Sequence, residues 1–267
     1  MSYACFPNSK LKKWKKRGLG IEEDCIRTAG QVGIQSGGCR LRVGCYHLPV
    51  CARYSFTKDG KLIIRIGEFE CEINVGARYN IAPTQKAPVI LPVPGGFVAP
   101  QLRWGWQMPG INGPLINAQA ETVTQKPTFR ANLHRRCLVP ADGFYEWTSD
   151  KTPIRFTKRG NEPFCFAGLW QEIITHPHDE PVTEMSFLIL TTAPNLTVGR
   201  VHNRMPFIVH PMHYYWWLGE GDLFQTVLNF PDRDELDCCP VQPSLNKAGT
   251  EGPDLIRPYL KPQRELF

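Results

Sequence analysis

Leu138-Val139-Pro140-Ala141-Asp142-Gly143-Phe144-Tyr145-Glu146-Trp147 is a dense apolar and aromatic run that carries one Glu among its rings. β-branched and aromatic residues at this density fit a pleated, half-buried surface, so Cys137–Trp147 is predicted as strand. Outward from it the same texture repeats between turn signals. Strands are predicted at Arg53–Thr57, Lys61–Phe69, Val89–Val93, Leu102–Trp106, Ile154–Lys158, Phe164–Glu172, Met185–Thr192 and Pro206–Val209. Helices are fewer: one over Ala118–Leu133 interrupted at Pro127, one opening near Asn195, and one or two between Met212 and Asn229. Strands dominate and no βαβ rhythm is present. The pattern therefore predicts an α+β fold, with a curved, mostly antiparallel β-sheet or open barrel as core and short helices interspersed. No internal repeat or low-complexity tract is visible.

Composition agrees with a turn-rich sheet protein. Of 267 residues, 42% are hydrophobic, enough for a substantial core, and 24 Pro and 23 Gly supply many turns. Charge is unevenly placed. Residues 1–50 hold nine Lys and Arg against three acids, whereas the remainder is balanced at 22 of each. The basic character thus belongs to the first fifty residues, and any grip on nucleic acid by the rest must come from a local groove. Ten Cys would suit a disulfide framework only behind a signal peptide. Lys10–Arg17 runs through Gly18-Leu19-Gly20-Ile21 into Glu22-Glu23-Asp24 without the apolar stretch a signal needs. No run approaches the ~20 apolar residues of a membrane span. A cytoplasmic protein with reduced thiols, outside the membrane, is the expectation.

Residues 1–50 show neither a helix nor a strand period, and the texture changes at residue 51. The predicted division is an N-terminal extension over 1–50, non-native or disordered, and a single domain over 51–267.

Five stretches carry polar residues that a core does not require: Cys51-Ala52-Arg53-Tyr54; Arg78-Tyr79-Asn80-Ile81-Ala82-Pro83-Thr84; Leu115-Ile116-Asn117-Ala118-Gln119-Ala120-Glu121-Thr122; the run ending Glu146-Trp147; and His202-Asn203-Arg204-Met205-Pro206. Each has an ordinary explanation. Cys51 suits a small buried hydrophobe, Glu146 a half-exposed strand position, His202 a turn cap, and Asn117 a helix N-cap. In this order and spacing, however, the five resemble the SOS response-associated peptidase (SRAP) family, also called abasic-site processing proteins. The resemblance spans residues 51 to about 246.

The resemblance implies a DNA-damage protein that binds single-stranded DNA and crosslinks to abasic sites, with no cofactor, no metal and a monomeric state. In that family the Cys becomes the N-terminus and bonds the ring-opened sugar aldehyde as a thiazolidine. The residues that match its site are Cys51, Asn117, Glu146 and His202. The chemistry suits these residue types. An α-amine has a pKa of about 7.7–8.0 against about 10.4 for Lys, so more of it is nucleophilic near neutrality. A thiol one carbon away then closes a five-membered ring at very high effective concentration. A His can donate the proton that opens the sugar. A Glu among rings, its pKa tending upward, can shuttle protons. An Asn can orient sugar or amine.

The same resemblance puts Arg53, Asn80, Pro83, Trp104, Gln119 and Arg204 at the DNA. Arg53 and Arg204 are the phosphate candidates. Asn80 and Pro83 would shape the wall at the lesion, and Trp104 would stack on a base, unless it is a core residue with Arg103 and Trp106. Gln119 stands where family members often carry Arg; it still donates a hydrogen bond but brings no charge.

As written, Cys51 is internal and its nitrogen an amide, which is not nucleophilic. A misassigned start is one resolution: Val50 directly precedes Cys51, and a Val codon, GTG, also serves as a start codon read as Met. Processing of a leader, which the family's peptidase name suggests, is another. A zinc site from Cys39, Cys45, His47 and Cys51 matches no common ligand spacing, and Cys238-Cys239 reads as incidental. Two alternative functions stay open: a cysteine peptidase acting in trans with Cys51 as nucleophile and His202 as base, and a non-covalent single-strand binding module.

Overall fold

A computed structural model describes residues 51–108, 110–175, 182–232 and 236–260. The expectations for residues 1–50, including the Cys39, Cys45 and His47 zinc reading, lie outside the described residues.

Among the described residues, seventeen strands and three short α-helices follow in order. They are β1 (Tyr54–Phe56), β2 (Gly60–Ile66), β3 (Phe69–Val75), β4 (Arg78–Ile81), β5 (Lys86–Pro88), β6 (Leu91–Val93), β7 (Gly96–Val98), β8 (Gln101–Trp104) and β9 (Asn117–Gln119). After α1 (Pro127–Arg130) come β10 (Arg136–Ala141), β11 (Gly143–Trp147), β12 (Pro153–Thr157), β13 (Phe164–Thr175), β14 (Val182–Thr192), β15 (Met205–Pro206) and β16 (Ile208–Val209). The chain closes with α2 (Tyr214–Leu218), α3 (Leu223–Asn229) and β17 (Asp237–Pro240). No helix among the described residues is long and apolar enough to cross a membrane.

Two sheets make the body. One has the order β17-β12-β11-β1-β4; the other runs β10-β13-β14-β8-β5, with β9 and β15 on β14 and β16 on β13. Pairing is antiparallel except where β14 meets β8 and β9. The fold is thus α+β with mostly antiparallel sheets, as expected, and the two sheets pack on each other rather than closing into one barrel. Their contact is aromatic. Tyr54 of β1 meets Trp104 of β8 edge-on at 5.2 Å and Phe166 of β13 at 5.8 Å, and Phe144 of β11 meets Phe166 at 6.2 Å. Edge-to-face placement matches the positive rim of one ring to the negative face of another.

The stretch Cys137–Trp147 is two strands, not the predicted one. Strand β10 pairs with β13 in one sheet, and β11 with β1 and β12 in the other. The switch falls at Asp142-Gly143. The Asp142 side chain, 1% exposed, accepts from Ser55 Oγ at 2.8 Å, from both the backbone N–H and the hydroxyl of Thr57 at 2.5 Å, and from Arg155 Nη2 at 3.0 Å. A Cβ on Gly143 would lie 2.8 Å from Arg155 Nε, so only glycine fits beside this cluster. A polar residue inside an apolar run thus marks where the chain changes sheet. Asp142→Ala would leave the Arg155 guanidinium buried without its carboxylate. The expected loss is about 3–5 kcal/mol, read as a lower urea midpoint.

The helix predicted over Ala118–Leu133 reduces to α1, four residues opening at Pro127. Upstream, Asn117–Gln119 forms strand β9, because it finds a parallel partner: Asn117 lies opposite Ile189 and Gln119 opposite Thr191. Asn117 is therefore a strand residue and not a helix N-cap. The helix near Asn195 is a single 3-10 turn, Val198–Arg200. The strand predicted over Lys61–Phe69 is a hairpin: β2 ends at Ile66, Gly67-Glu68 turn, and β3 follows with Phe69, Cys71 and Ile73 alternating with Glu70, Glu72 and Asn74. Those acids pair across the hairpin, as Lys61 with Glu72 at 2.7 Å.

Candidate active site

The domain's described residues open at Cys51, which turns directly into β1. It is 2% exposed. Its φ of 49° is a left-handed conformation that residues with a side chain seldom adopt. Glu146 comes from β11, beside β1 in the same sheet. Strand alternation sends Phe144 and Glu146 to one face and Tyr145 to the other. Tyr145 packs under the C-terminal segment with Val241, Leu245 and Leu255. Phe144 belongs to the inter-sheet core, which leaves Glu146, 2% exposed, pointing along the core's end at Cys51.

One carboxylate oxygen serves both Cys51 heteroatoms. The Cys51 nitrogen donates to Glu146 Oε1 at 2.8 Å, and Sγ donates to the same oxygen at 2.9 Å. Burial pushes the Glu146 carboxyl above its ordinary range, against the pull of the Cys51 hydrogen bonds and the charge of His202. Burial also pushes the Cys51 thiol well up. The Glu146 charge and its hydrogen bond add to that push, and the Arg204 charge opposes it. His202 and Arg204 therefore both lie within electrostatic reach of the pair.

The His202–Arg204 turn is positioned by β14, whose Thr192 pairs with Met205 of β15. The Arg204 backbone N–H donates to His202 Nδ1 at 3.1 Å. The same ring nitrogen lies 3.3 Å from Arg204 O. Asn117, half-buried, sits on β9, the other neighbour of this end of β14.

The residues expected at DNA divide into two groups. Gln119 is exposed and Pro83 half-buried at the wall. Asn80 and Trp104 need correction. Asn80 is fully buried, and its side chain is consumed within the protein. Its Oδ1 accepts from Arg53 Nη1 at 2.7 Å, and its Nδ2 faces the carbonyls of Leu245, Lys247 and Thr250 at 3.3, 3.2 and 3.0 Å. It clamps the C-terminal segment rather than touching a ligand. Trp104 is fully buried, lies parallel to Phe187 at 6.2 Å and donates from Nε1 to Ile116 O at 3.0 Å. No face of its ring is open to a base, so it takes the core role. Arg53 is partly committed as well: Nη1 also donates to Leu245 O at 3.0 Å, and burial lowers its pKa.

Glu121 was not singled out in the sequence. Its carboxylate takes both Nη atoms of Arg204, at 2.9 and 2.8 Å. No local signal marks it: β9 ends at Gln119, Glu121 stands in the turn that follows, and its partner is 83 positions away.

The site thus sits in an α+β domain of two packed sheets, with a Cys at the head of one strand and a buried Glu bonded to its nitrogen and sulfur. The family model for SOS response associated peptidase (SRAP) matches residues 50–248, and the chain belongs to that family. Abasic site processing protein YoqW of Bacillus subtilis is 32% identical over 227 residues, covering 79% of this chain and all of the relative. Abasic site processing protein YedK of Escherichia coli is 24% identical over 229 residues, 78% of this chain and all of that relative. Among solved structures, a Bacteroides thetaiotaomicron protein superposes with a TM-score of 0.59 at 21% identity, covering 68% of this chain and 85% of that one. A Bordetella bronchiseptica protein superposes with a TM-score of 0.56 at 25% identity, covering 72% and 100%.

Proposed function

We propose that this protein captures abasic sites in single-stranded DNA covalently, through a thiazolidine built on the nitrogen and sulfur of Cys51 once that residue heads the chain. The observation that carries the reading is the single Glu146 oxygen within 2.9 Å of both Cys51 heteroatoms. The relatives, named abasic site processing proteins, supply the substrate class.

His202 gives a proton to the ring oxygen of the closed sugar as the bond from that oxygen to the anomeric carbon breaks, and takes back the proton of the anomeric hydroxyl, which becomes the aldehyde oxygen. The Cys51 α-amine, its extra proton passed to Glu146, attacks the aldehyde carbon to give a carbinolamine. Glu146 returns that proton to the departing hydroxyl, water leaves and an imine remains. The Cys51 sulfur then adds to the same carbon, while its proton ends on nitrogen by way of Glu146. One water is released and no oxidant or reductant is consumed. A carboxyl held above its ordinary range by burial suits this two-way traffic, because it holds and releases a proton closer to neutral pH.

The amine must be free, since an amide nitrogen does not attack an aldehyde. A peptidase acting in trans is less well supported. Such a nucleophile needs a depressed thiol pKa and a base at its sulfur. Here the sulfur's partner is a carboxylate, and the thiol is pushed up.

The test is the requirement for an aldehyde. A single-stranded oligonucleotide with a natural abasic site should give a protein adduct that survives heating in detergent. The same oligonucleotide reduced with borohydride, whose sugar carries a hydroxyl instead, should give none. Equal adduct from both would overturn the reading.

A further inference from the structure

Arg204 donates its backbone N–H to His202 Nδ1 at 3.1 Å, and what holds Arg204 in place bears on the site. Its Nη2 donates to Thr191 O at 2.6 Å and Thr191 Oγ1 at 3.2 Å, and both Nη atoms donate to Glu121. Glu121 is held in turn by the Thr192 hydroxyl at 3.3 Å. Partial burial pushes the Glu121 carboxyl up, but the Arg204 hydrogen bonds and charge outweigh that and keep it ionised below its ordinary range. The Glu121 side chain is 47% exposed. A pair this exposed contributes little to stability, so its fixed bidentate geometry calls for another explanation. Arg204 Nε is buried and has no partner among the described residues.

We propose that Glu121 is a positioning residue for the capture chemistry: by holding both Nη atoms of Arg204 it fixes the residue whose backbone N–H donates to His202 Nδ1, and with it the turn that carries His202. The proposal rests on the capture reading above. It also gives a place to the neutral Gln119. With no charge at that exposed position, the orientation of Arg204 matters more on this wall.

Glu121→Gln keeps the shape and removes the charge. In the full chain with its native N-terminus, the capture rate at saturating abasic single-stranded DNA should fall about 10- to 100-fold, the cost of a small misplacement near the reacting atoms. The thermal midpoint should stay within a few degrees. Arg204→Ala should fall at least as far, and the double variant no further, because Glu121 acts through Arg204. Additive losses would overturn the proposal. So would faster capture with tighter binding of undamaged DNA, which would make Glu121 a surface acid that repels the backbone. A second reading needs no capture at all. In the nitrogen–proton NMR spectrum, the Arg204 Nε–H signal should be sharp and slow to exchange in the wild type and lost in Glu121→Gln. An unchanged signal would overturn the hold itself. Wild-type protein that forms no adduct would sink the capture reading, while the NMR comparison would still decide on Glu121.

Discussion

Cys51→Ala should form no adduct with abasic single-stranded DNA: the yield that survives heating in detergent is expected to fall to background, a loss of about 10³-fold or more. The size follows from ring closure, in which a thiol on the neighbouring carbon adds at an effective concentration no free thiol in solution reaches. Cys51→Ser separates the two nucleophiles. Its amine still forms the imine, but the hydroxyl closes the ring poorly, so its adduct should appear only when borohydride traps the imine. Stable adduct from Cys51→Ala would remove the residue from the chemistry. Denaturing gels of the three proteins, run with and without borohydride, read both results.

The second large effect belongs to Glu146→Gln. A Gln side chain keeps one acceptor for the Cys51 nitrogen but cannot carry a proton between nitrogen, departing water and sulfur. Loss of a positioned acid–base group typically costs about 10²- to 10⁴-fold, and the capture rate should fall within that range. The stability consequence has a definite sign. Burial raises the Glu146 carboxyl in the folded state, so the folded protein holds its proton more tightly than the unfolded chain, where the value is about 4.3. Below that pH both states are protonated and no penalty exists. The penalty grows as pH rises from there through the raised folded value, and stability falls over that window. Glu146→Gln should flatten this part of the curve of denaturation midpoint against pH. A variant that keeps both the wild-type slope and the wild-type capture rate would contradict the assignment.

Much of this site could be read from residue type and order, because its chemistry needs groups that a core does not. Glu146 among Phe144, Tyr145 and Trp147 stood out for that reason, whereas its burial comes from β11 lying between β1 and β12 with both faces covered. Pairing between strands was harder to foresee. Asn117 reads as a helix start because Ala118–Glu121 has good helix formers, yet a parallel partner in β14 makes it strand. Asn80 and Trp104 read as ligand-facing polar and aromatic groups. Their partners are carbonyls at Leu245, Lys247 and Thr250 and the ring of Phe187, contacts across 83 residues or more, which local pattern does not encode. Glu121 was overlooked for a related reason: its importance lies in Arg204, 83 positions further on. The switch of sheet at Asp142 depends likewise on Ser55, Thr57 and Arg155.

The most direct test weighs the adduct. Protein isolated from its native host, reacted with an abasic oligonucleotide of known mass, should give one species: the chain beginning at Cys51, plus the oligonucleotide, less a single water. A covalent species that still carries the residues ahead of Cys51 would have an amide where the attacking nitrogen must be, and the thiazolidine account would be wrong.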